Sequence, residues 1–236
     1  MGRIVAIAGG DLTSTEEINK HMIKLTNKPS PNVLFIGTAS RDDEDYIEKI
    51  TNVFNRLGCE VKALCLCSKE YDDKEADELL SRADLIYVGG GDTIFMVDTW
   101  KKYGLDKKLK QIFETDSAVL SGLSAGASCW FNCGHSDSES FQKEDDWSFC
   151  WANEMLDIIH NAFCPHYDEE GRDSFDEMLR TKSLPGLAME NNTAFVENNG
   201  RQYFIRSSPD ATAYSIKYTD NVMEKHEVEF EKDLII

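Results

Sequence analysis

The sequence lacks any apolar run near the roughly 18 residues that a membrane-spanning helix requires. Basic residues are also scarce, because 25 lysines and arginines stand against 43 aspartates and glutamates and leave a formal charge of -18. Such a charge repels nucleic acid and anionic lipid, so we expect neither nucleic acid nor membranes as partners. The N-terminus leads directly into a strand-like run without a signal-peptide profile, and we therefore expect a cytoplasmic protein.

Cysteine pairing and zinc binding are not expected either. The seven cysteines are odd in number, and no secretory leader precedes them, which favours free thiols in a reducing compartment. Cys65 and Cys67 are close in sequence, and Cys129 and Cys133 lie near His135, but neither group has zinc-site spacing with a matching second half. We interpret these side chains as structural and expect no metal site.

What the first half of the chain does contain is an alternation of short apolar runs with longer amphipathic ones, the pattern of strands joined by crossover helices. The predicted strands are 3–8, 32–37, 60–66, 85–88 and 118–122. The predicted helices are 14–26, 43–57, 74–81, 93–103 and 105–115. Strands rich in Val, Ile and Leu imply a parallel sheet covered on both faces, so we predict a three-layer α/β sandwich with a mostly parallel sheet.

Three side chains suit the starts of these helices. Ser14 has the capping-box spacing to Glu17. Asp42 and Asp92 directly precede the second and fourth predicted helices, where a short acidic side chain can accept backbone hydrogen bonds.

The chain changes character after about residue 133. Residues 134–151 are polar, acidic and aromatic without clear periodicity, which predicts a loop or lid. A short helix is predicted at 173–180, and antiparallel strands at 193–197, 202–206 and 212–218 are expected to extend one edge of the sheet. With 41% hydrophobic residues and no linker or repeat, all 236 residues are predicted to form a single domain.

The strongest chemical signal is Gly122-Leu123-Ser124-Ala125-Gly126, which follows a predicted strand and precedes a run that can be helical. It matches the G-x-S-x-G pattern of a nucleophile elbow, in which the serine occupies a strained strand-to-helix turn and small neighbours avoid collision. The alternative is an ordinary glycine-rich turn with a capping serine. The strand-turn-helix context favours Ser124 as a nucleophile.

A serine hydroxyl needs a base to take its proton, and the sequence offers five histidines. His166 follows an apolar segment and Pro165, which rigidifies the approach, so we predict His166 as the base. A carboxylate must then orient the imidazole. Glu190 stands at the end of a strand-like run and Asp137 is its competitor; a turn-forming role is the alternative for an acidic residue at a strand end.

Two glycine-rich loops, at 8–11 and 89–93, follow predicted strands and belong at the carboxyl ends of the sheet, where ligands bind. Amides of the second loop, together with the amide of Ala125, can form an oxyanion hole. Phosphate binding is the rival interpretation, but neither loop has G-x-G-x-x-G or a Walker lysine. Nucleotide binding is therefore not favoured.

Four motifs in this order resemble the peptidase E (aspartyl dipeptidase) family of serine peptidases, to which cyanophycinase is related. They are VGGGDT at 88–93, GLSAGA at 122–127, CPHYD at 164–168 and GLAMEN at 186–191. The resemblance covers essentially the whole chain. It implies a fold like that of class I glutamine amidotransferases and hydrolysis of peptide bonds after Asp.

By this resemblance Ser124 is the nucleophile and His166 is the base. The orienting carboxylate corresponds to Asp137 or Glu190, and we favour Glu190. Because the chain order is Ser, His, Glu, the resemblance also argues against an α/β-hydrolase, whose order is Ser, acid, His.

The resemblance further implies that the backbone amides of Gly90 and Ala125 form the oxyanion hole. Selection of an acidic substrate side chain needs a cation, since a buried carboxylate without a partner is costly. Arg172, six residues after His166, is the nearest candidate for substrate binding. The acidic residues within 134–151 disfavour anionic substrates, so strict Asp-X specificity is not expected.

These observations predict a serine-type peptidase that hydrolyses small peptides, with Asp-X dipeptides among the candidates, through a Ser-His-acid acyl-enzyme mechanism. The alternative is a catalytically silent binding or regulatory protein on the same fold. The triad chemistry implies no metal or organic cofactor. The expected partner is a small peptide substrate, and both a monomer and a homodimer remain open.

Overall fold

The computed structural model of the protein describes residues 2–141 and 148–231. Its strands are β1 (Arg3–Ile7), β2 (Asn32–Ile36), β3 (Glu60–Leu64), β4 (Leu85–Val88), β5 (Val119–Leu123), β6 (Phe131–Ser136), β7 (Cys150–Ala152), β8 (Ile159–Cys164), β9 (Gly186–Met189), β10 (Thr193–Asn198), β11 (Arg201–Arg206), β12 (Ala213–Thr219) and β13 (Val222–Glu227). Its helices are α1 (Glu16–Leu25), α2 (Glu44–Arg56), α3 (Asp73–Arg82), α4 (Thr93–Tyr103), α5 (Leu105–Thr115), α6 (Ala125–Ser128) and α7 (Ser174–Leu179), with a short 3-10 helix at Thr38–Ser40. The predicted elements of the first half are confirmed to within two residues at each end.

The strands of the first half form one sheet together with β10 and β11, in the order β11-β10-β1-β5-β4-β2-β3. The five strands from β1 to β3 in this order are parallel. β10 is antiparallel to β1, and β11 is antiparallel to β10. Every residue of β4 is buried, as expected for a strand that lies inside a parallel sheet.

Helices cover both faces of this sheet. On one face, Val5 and Ile7 of β1 share a buried cluster with Met22 of α1 and Phe54 of α2. On the other face, the alternate residues of β1 share a cluster with α3, α4 and α5. The period of two along a strand therefore divides the core into two layers. The predicted α/β class, with a mostly parallel sheet and antiparallel strands toward the C-terminus, is confirmed.

A second sheet, which the sequence did not reveal, has the order β13-β12-β9-β8-β6-β7. β6, β8 and β9 are parallel, whereas β7, β12 and β13 are antiparallel to their neighbours. Phe131 and Phe163 of this sheet belong to the core beneath the first sheet, and their rings are stacked with centroids 4.3 Å apart. Phe175 and Leu179 of α7 cover residues on the opposite side.

Two predictions for the second half need correction. The runs at 193–197 and 202–206 do extend one edge of the first sheet, but the run at 212–218 forms β12, which pairs with β9 in the second sheet. Residues 134–151 were predicted as a loop, yet they contain the end of β6 and the first two residues of β7; residues 142–147 lie outside the described part. His135 and Ser136 are polar but buried, which hid the strand from a hydrophobic pattern.

Of the predicted helix starts, only Asp92 is confirmed. Its carboxylate accepts the Phe95 amide hydrogen at 3.1 Å and caps α4. Ser14 forms no capping box, because its hydroxyl accepts from the Asp11 amide and α1 begins two residues later. Asp43 caps α2 in place of Asp42, since the residue nearest the first turn has the better geometry for the exposed amides.

The parallel strands β1, β4 and β5 end at the same edge of the sheet, so the loops that follow them are neighbours. These are the loops with the glycine-rich segments and with Ser124. In the described ranges, no helix combines the length and the apolar composition needed to cross a bilayer.

Candidate active site

Ser124 occupies a sharp turn between β5 and α6. Its φ of 58° and ψ of -113° are unusual for a residue other than glycine, since side chains collide with the backbone at positive φ. The turn is held by the Ser124 amide, which donates to the Ile7 carbonyl at 2.9 Å. A strained serine between a strand and a helix is the geometry of a nucleophile elbow.

The two glycines that flank the serine have no room for a side chain. A Cβ placed on Gly122 would lie 2.2 Å from the Gly126 carbonyl oxygen. A Cβ placed on Gly126 would lie 2.2 Å from the carbonyl oxygen of Val88 in the neighbouring strand. Any larger residue at either position would therefore displace the backbone that carries Ser124.

His166 contacts this serine directly. The His166 Nε2 atom lies 2.8 Å from Ser124 Oγ, within hydrogen-bond distance. The histidine follows β8 and Pro165 and has a φ of 54°, so it also lies in a turn with a positive φ. The two side chains that the sequence predicted as nucleophile and base are thus brought together from separate sheets.

The other imidazole nitrogen faces Asn191. His166 Nδ1 is 2.8 Å from Asn191 Oδ1, and Asn191 Nδ2 donates to Asp168 Oδ2 and Glu169 Oε1, each at 3.1 Å. Two carboxylate acceptors fix which end of the amide is the nitrogen, so the amide oxygen points to the imidazole. An amide oxygen accepts a hydrogen from Nδ1, which leaves Nε2 as the acceptor in the hydrogen bond with the Ser124 hydroxyl.

Glu169 brings a carboxylate to the same nitrogen. Its Oε1 atom lies 3.1 Å from His166 Nδ1, and its side chain is 51% exposed. The carboxylate is therefore a second oxygen acceptor within reach of Nδ1, beside the amide oxygen of Asn191.

Glu190 does not contact the imidazole. Its Oε2 atom accepts the Thr212 amide hydrogen at 2.9 Å, and its own amide donates to the Thr212 carbonyl at 3.1 Å. The side chain therefore joins the end of β9 to the start of β12. The arrangement departs from the prediction by one residue, because successive side chains at the end of a strand point in opposite directions and Asn191 faces His166 instead.

Asp137 also lies away from the imidazole, in an ion pair with Arg172. Asp137 Oδ2 is 3.2 Å from Arg172 Nη2, and Arg172 also donates to the His135 carbonyl at 3.3 Å. Arg172 is only 4% exposed, and its guanidinium carbon lies 4.6 Å from the centre of the Phe149 ring. The charge of the arginine predicted to bind substrate is thus compensated within the fold.

The two predicted oxyanion-hole residues flank Ser124. Ala125 is the first residue of α6, so its amide has no partner within the helix. A Cβ placed on Gly90 would lie 3.4 Å from the Ser124 Cβ, which puts this loop beside Ser124. The Gly90 amide is not free, however, since it donates to the Tyr46 hydroxyl oxygen in a long hydrogen bond of 3.3 Å.

The first glycine-rich loop packs closely against His166 and Asn191. A Cβ placed on Gly9 would lie 2.0 Å from Asn191 Oδ1 and 2.3 Å from His166 Nδ1. Only glycine leaves space for this hydrogen bond. The loop at 8–11 therefore borders the site, as its position after a strand predicted. Gly9 has a steric role there.

Metal ligation has no candidate in the described residues, since no three His, Cys, Asp or Glu side chains converge there. Asn191 and Glu169 were not predicted as neighbours of the imidazole. One signal was present for each: Asn191 follows the favoured Glu190 directly, and Glu169 stands three residues after His166 across a possible turn.

The chain is similar over nearly its whole length to proteins described as peptidases. A model of peptidase family S51 matches residues 4–204. An uncharacterized peptidase, YgaJ, of Bacillus subtilis (strain 168) is 28% identical over 235 residues, which cover 97% of this chain and 95% of that protein.

Two solved structures share the fold. A peptidase from an acI-B1 Actinobacterium has a TM-score of 0.72 and 23% identity, covering 98% of this chain and 97% of its own. A putative peptidase E protein from Listeria monocytogenes EGD-e has a TM-score of 0.66 and 19% identity, covering 88% of this chain and 100% of its own.

Taken with the elbow and its histidine, these matches define a serine-type peptidase, a hydrolase that acts on peptide bonds. The chain belongs to peptidase family S51, and the resemblance to the peptidase E family is confirmed.

Proposed function

We propose that the protein hydrolyses small peptides through an acyl-enzyme intermediate at Ser124. The observation that carries the proposal is the 2.8 Å contact between Ser124 Oγ and His166 Nε2 on a strained elbow. Asp-X dipeptides are the first substrates to test, because the four motifs of this sequence are those of the aspartyl dipeptidase family. The free cysteines support a cytoplasmic location for this reaction.

In the first half of the cycle, Ser124 Oγ attacks the carbonyl carbon of the scissile bond while His166 Nε2 takes the hydroxyl proton. The carbonyl oxygen becomes an oxyanion, which accepts hydrogen bonds from the amides of Ala125 and Gly90. The long bond from Gly90 to Tyr46 is weak enough to be exchanged for this charged acceptor. When the carbon–nitrogen bond breaks, Nε2 returns the proton to the leaving amine.

In the second half, His166 Nε2 takes a proton from water, and the resulting hydroxide attacks the acyl carbon. Collapse of this second tetrahedral species releases the carboxylic acid, and the proton on Nε2 returns to Ser124 Oγ. Asn191 keeps Nδ1 protonated throughout, and Glu169 stabilises the positive charge that the imidazole carries between the steps. We therefore propose Asn191 and Glu169 as the orienting groups, ahead of Glu190 and Asp137.

The test is hydrolysis of a panel of Asp-X, Glu-X and neutral dipeptides by the wild type and Ser124→Ala. Loss of cleavage in Ser124→Ala is expected, and cleavage that survives this substitution would contradict the proposal. Asn191→Ala, Glu190→Ala and Asp137→Ala measured alongside identify the group that orients His166. The expected order of damage places Asn191→Ala first.

A further inference from the structure

A cleft of about 460 Å³, in the size range of small-molecule sites, opens next to the residue that directly precedes Ser124. The loop after β1, helix α2 and Leu123 bound this cleft. Leu123 directly precedes the nucleophile, and Gly9, at the base of the same loop, approaches the imidazole closely. The cleft is therefore placed to hold a part of the substrate that the catalytic contacts leave unbound.

Two side chains of α2 face this space. Tyr46 and Lys49 are three residues apart, so they share one side of the helix. Lys49 is exposed, and among the described residues its ammonium group has no ion-pair partner. The cleft thus contains a cation that forms no ion pair with the described residues.

The Tyr46 hydroxyl adds a hydrogen-bond donor. Its oxygen accepts the Gly90 amide at 3.3 Å, which leaves its own hydrogen for another acceptor. Burial raises the pKa of Tyr46, so the hydroxyl keeps this hydrogen at neutral pH. The hydroxyl connects the cleft to the loop that borders the nucleophile.

The other charged side chain at the cleft is Asp11, which is engaged with its own turn. Its Oδ1 atom accepts from the amides of Thr13 and Ser14 at 2.7 and 2.8 Å. These bonds lower the pKa of Asp11 and fix its direction. Lys49 is therefore the group in this cleft that is available to an anion.

We propose that the cleft binds a carboxylate of the peptide substrate, with Lys49 as the cation and the Tyr46 hydroxyl as a second donor. The proposal rests on the peptidase function proposed above. A chain of formal charge -18 repels anions, so an acidic ligand needs a local cation of this kind. Arg172 does not supply it, being buried in its ion pair with Asp137.

A short peptide can present this carboxylate from an acidic side chain or from its C-terminus. The test measures calorimetric affinities of Asp-Leu, Asn-Leu and their C-terminal amides in the Ser124→Ala background, in which no peptide is consumed. The same four peptides are then measured with Lys49→Met added. Lys49→Arg is the conservative variant, and Lys107→Met makes the same charge change on α5, on the opposite side of the first sheet.

We expect Lys49→Met to weaken binding of Asp-Leu about tenfold, as for a hydrogen bond to a charged group, and Lys49→Arg to retain most of it. The weakening should vanish for the peptide that lacks the bound carboxylate. Loss of the preference for Asp-Leu over Asn-Leu assigns the side chain, and loss of the preference for the free acid over the amide assigns the C-terminus. Lys107→Met should leave all four affinities unchanged.

The proposal is overturned if Lys49→Met leaves all four affinities unchanged, or weakens all four equally. Either result would show that Lys49 does not recognise a carboxylate. Peptide hydrolysis is measured separately in proteins that retain Ser124, with and without Lys49→Met. Cleavage without any effect of Lys49 removes the carboxylate site alone, whereas binding that depends on Lys49 without cleavage removes the peptidase proposal alone.

Discussion

Two serine–histidine contacts of nearly equal length occur in the described residues. Ser124 Oγ lies 2.8 Å from His166 Nε2, and Ser174 Oγ lies 3.0 Å from His135 Nε2. Distance alone does not distinguish the pairs. Their surroundings do, and the difference shows what a serine needs besides a nearby imidazole in order to react.

The second pair is unsuited to proton transfer in two respects. His135 is 1% exposed, and burial together with the nearby Arg172 lowers its pKa to about 3. A base this weak does not take a hydroxyl proton at neutral pH. Ser174 also donates its hydrogen to the Gly171 carbonyl at 2.6 Å, so the hydrogen points away from the imidazole.

The first pair has the opposite features. Ser124 lies at positive φ between a strand and a helix, with the Ala125 amide beside it, whereas Ser174 is the first residue of an ordinary short helix. His166 is oriented through Nδ1 by an amide oxygen and a carboxylate. The His135 Nδ1 atom instead faces the buried thiol of Cys164 at 3.7 Å.

The largest expected effect separates the two serines. Ser124→Ala should reduce peptide hydrolysis by at least about 10⁴-fold, because the nucleophile and its proton transfer are lost together. Ser174→Ala should change the rate by less than about twofold. Initial rates on a dipeptide that the wild type cleaves measure both. Equal losses of the hydrolysis rate in the two variants would contradict the distinction between the two serine–histidine pairs.

The next effect concerns the two neighbouring residues after β9. Asn191→Ala should lower kcat about 10²-fold, since the imidazole loses the partner that fixes its tautomer. Glu190→Gln keeps an oxygen for the Thr212 amide and should stay within about threefold of the wild type. Steady-state kinetics on the two variants show which of the two residues orients His166. A greater loss in Glu190→Gln would restore Glu190 as the orienting group.

His135, the buried histidine, should affect the free energy of unfolding rather than the rate of peptide hydrolysis. Its folded pKa of about 3 lies below the value of 6.5 in the unfolded chain, so the unfolded state takes up more protons as the pH falls below 6.5. The contribution to stability is present above pH 6.5 and is lost toward low pH. Between about pH 7.5 and pH 5 this group should cost about 2 kcal/mol of unfolding free energy.

Urea unfolding of the wild type and of His135→Gln at both pH values measures this cost. His135→Gln should show a shallower pH dependence than the wild type, whatever its stability at pH 7.5. Parallel pH profiles for the two proteins would mean that His135 titrates normally, and the contrast with His166 would lose its basis.

The smallest expected effect is that of Glu169→Gln. Because the carboxylate is half-exposed, solvent screening limits the loss in kcat/KM to about threefold, and salt should reduce the wild-type advantage further. Rates at low and high ionic strength for the two proteins test this. A loss as large as that of Asn191→Ala would make Glu169 the main orienting group.

The sequence was most informative where local physics decides the structure. Continuous apolar runs such as 85–88 are typical of strands inside a covered sheet. The need for glycine on both sides of Ser124 was predictable because a strained turn excludes side chains. The second sheet escaped prediction because β6 and β8 carry polar residues among the apolar ones, including the buried His135.

The neighbours of the imidazole depend on non-local geometry. Whether Glu190 or Asn191 faces His166 is set by the direction of one side chain at a strand end, and the contact between Glu169 and Nδ1 depends on the turn after β8. Likewise, the single cation predicted near the site, Arg172, proved to be paired with Asp137. Sequence spacing placed these residues in the right region and did not determine their partners.

The most direct test of the account is labelling with a fluorophosphonate, followed by peptide mapping of the modified residue. This probe reacts with a serine hydroxyl only when a base takes its proton and nearby donors stabilise the developing charge. We predict stoichiometric modification of Ser124, abolished by Ser124→Ala and unaffected by Ser174→Ala. Modification of Ser174, or no modification of the folded wild type, would contradict the assignment of Ser124 and His166 as the reacting pair.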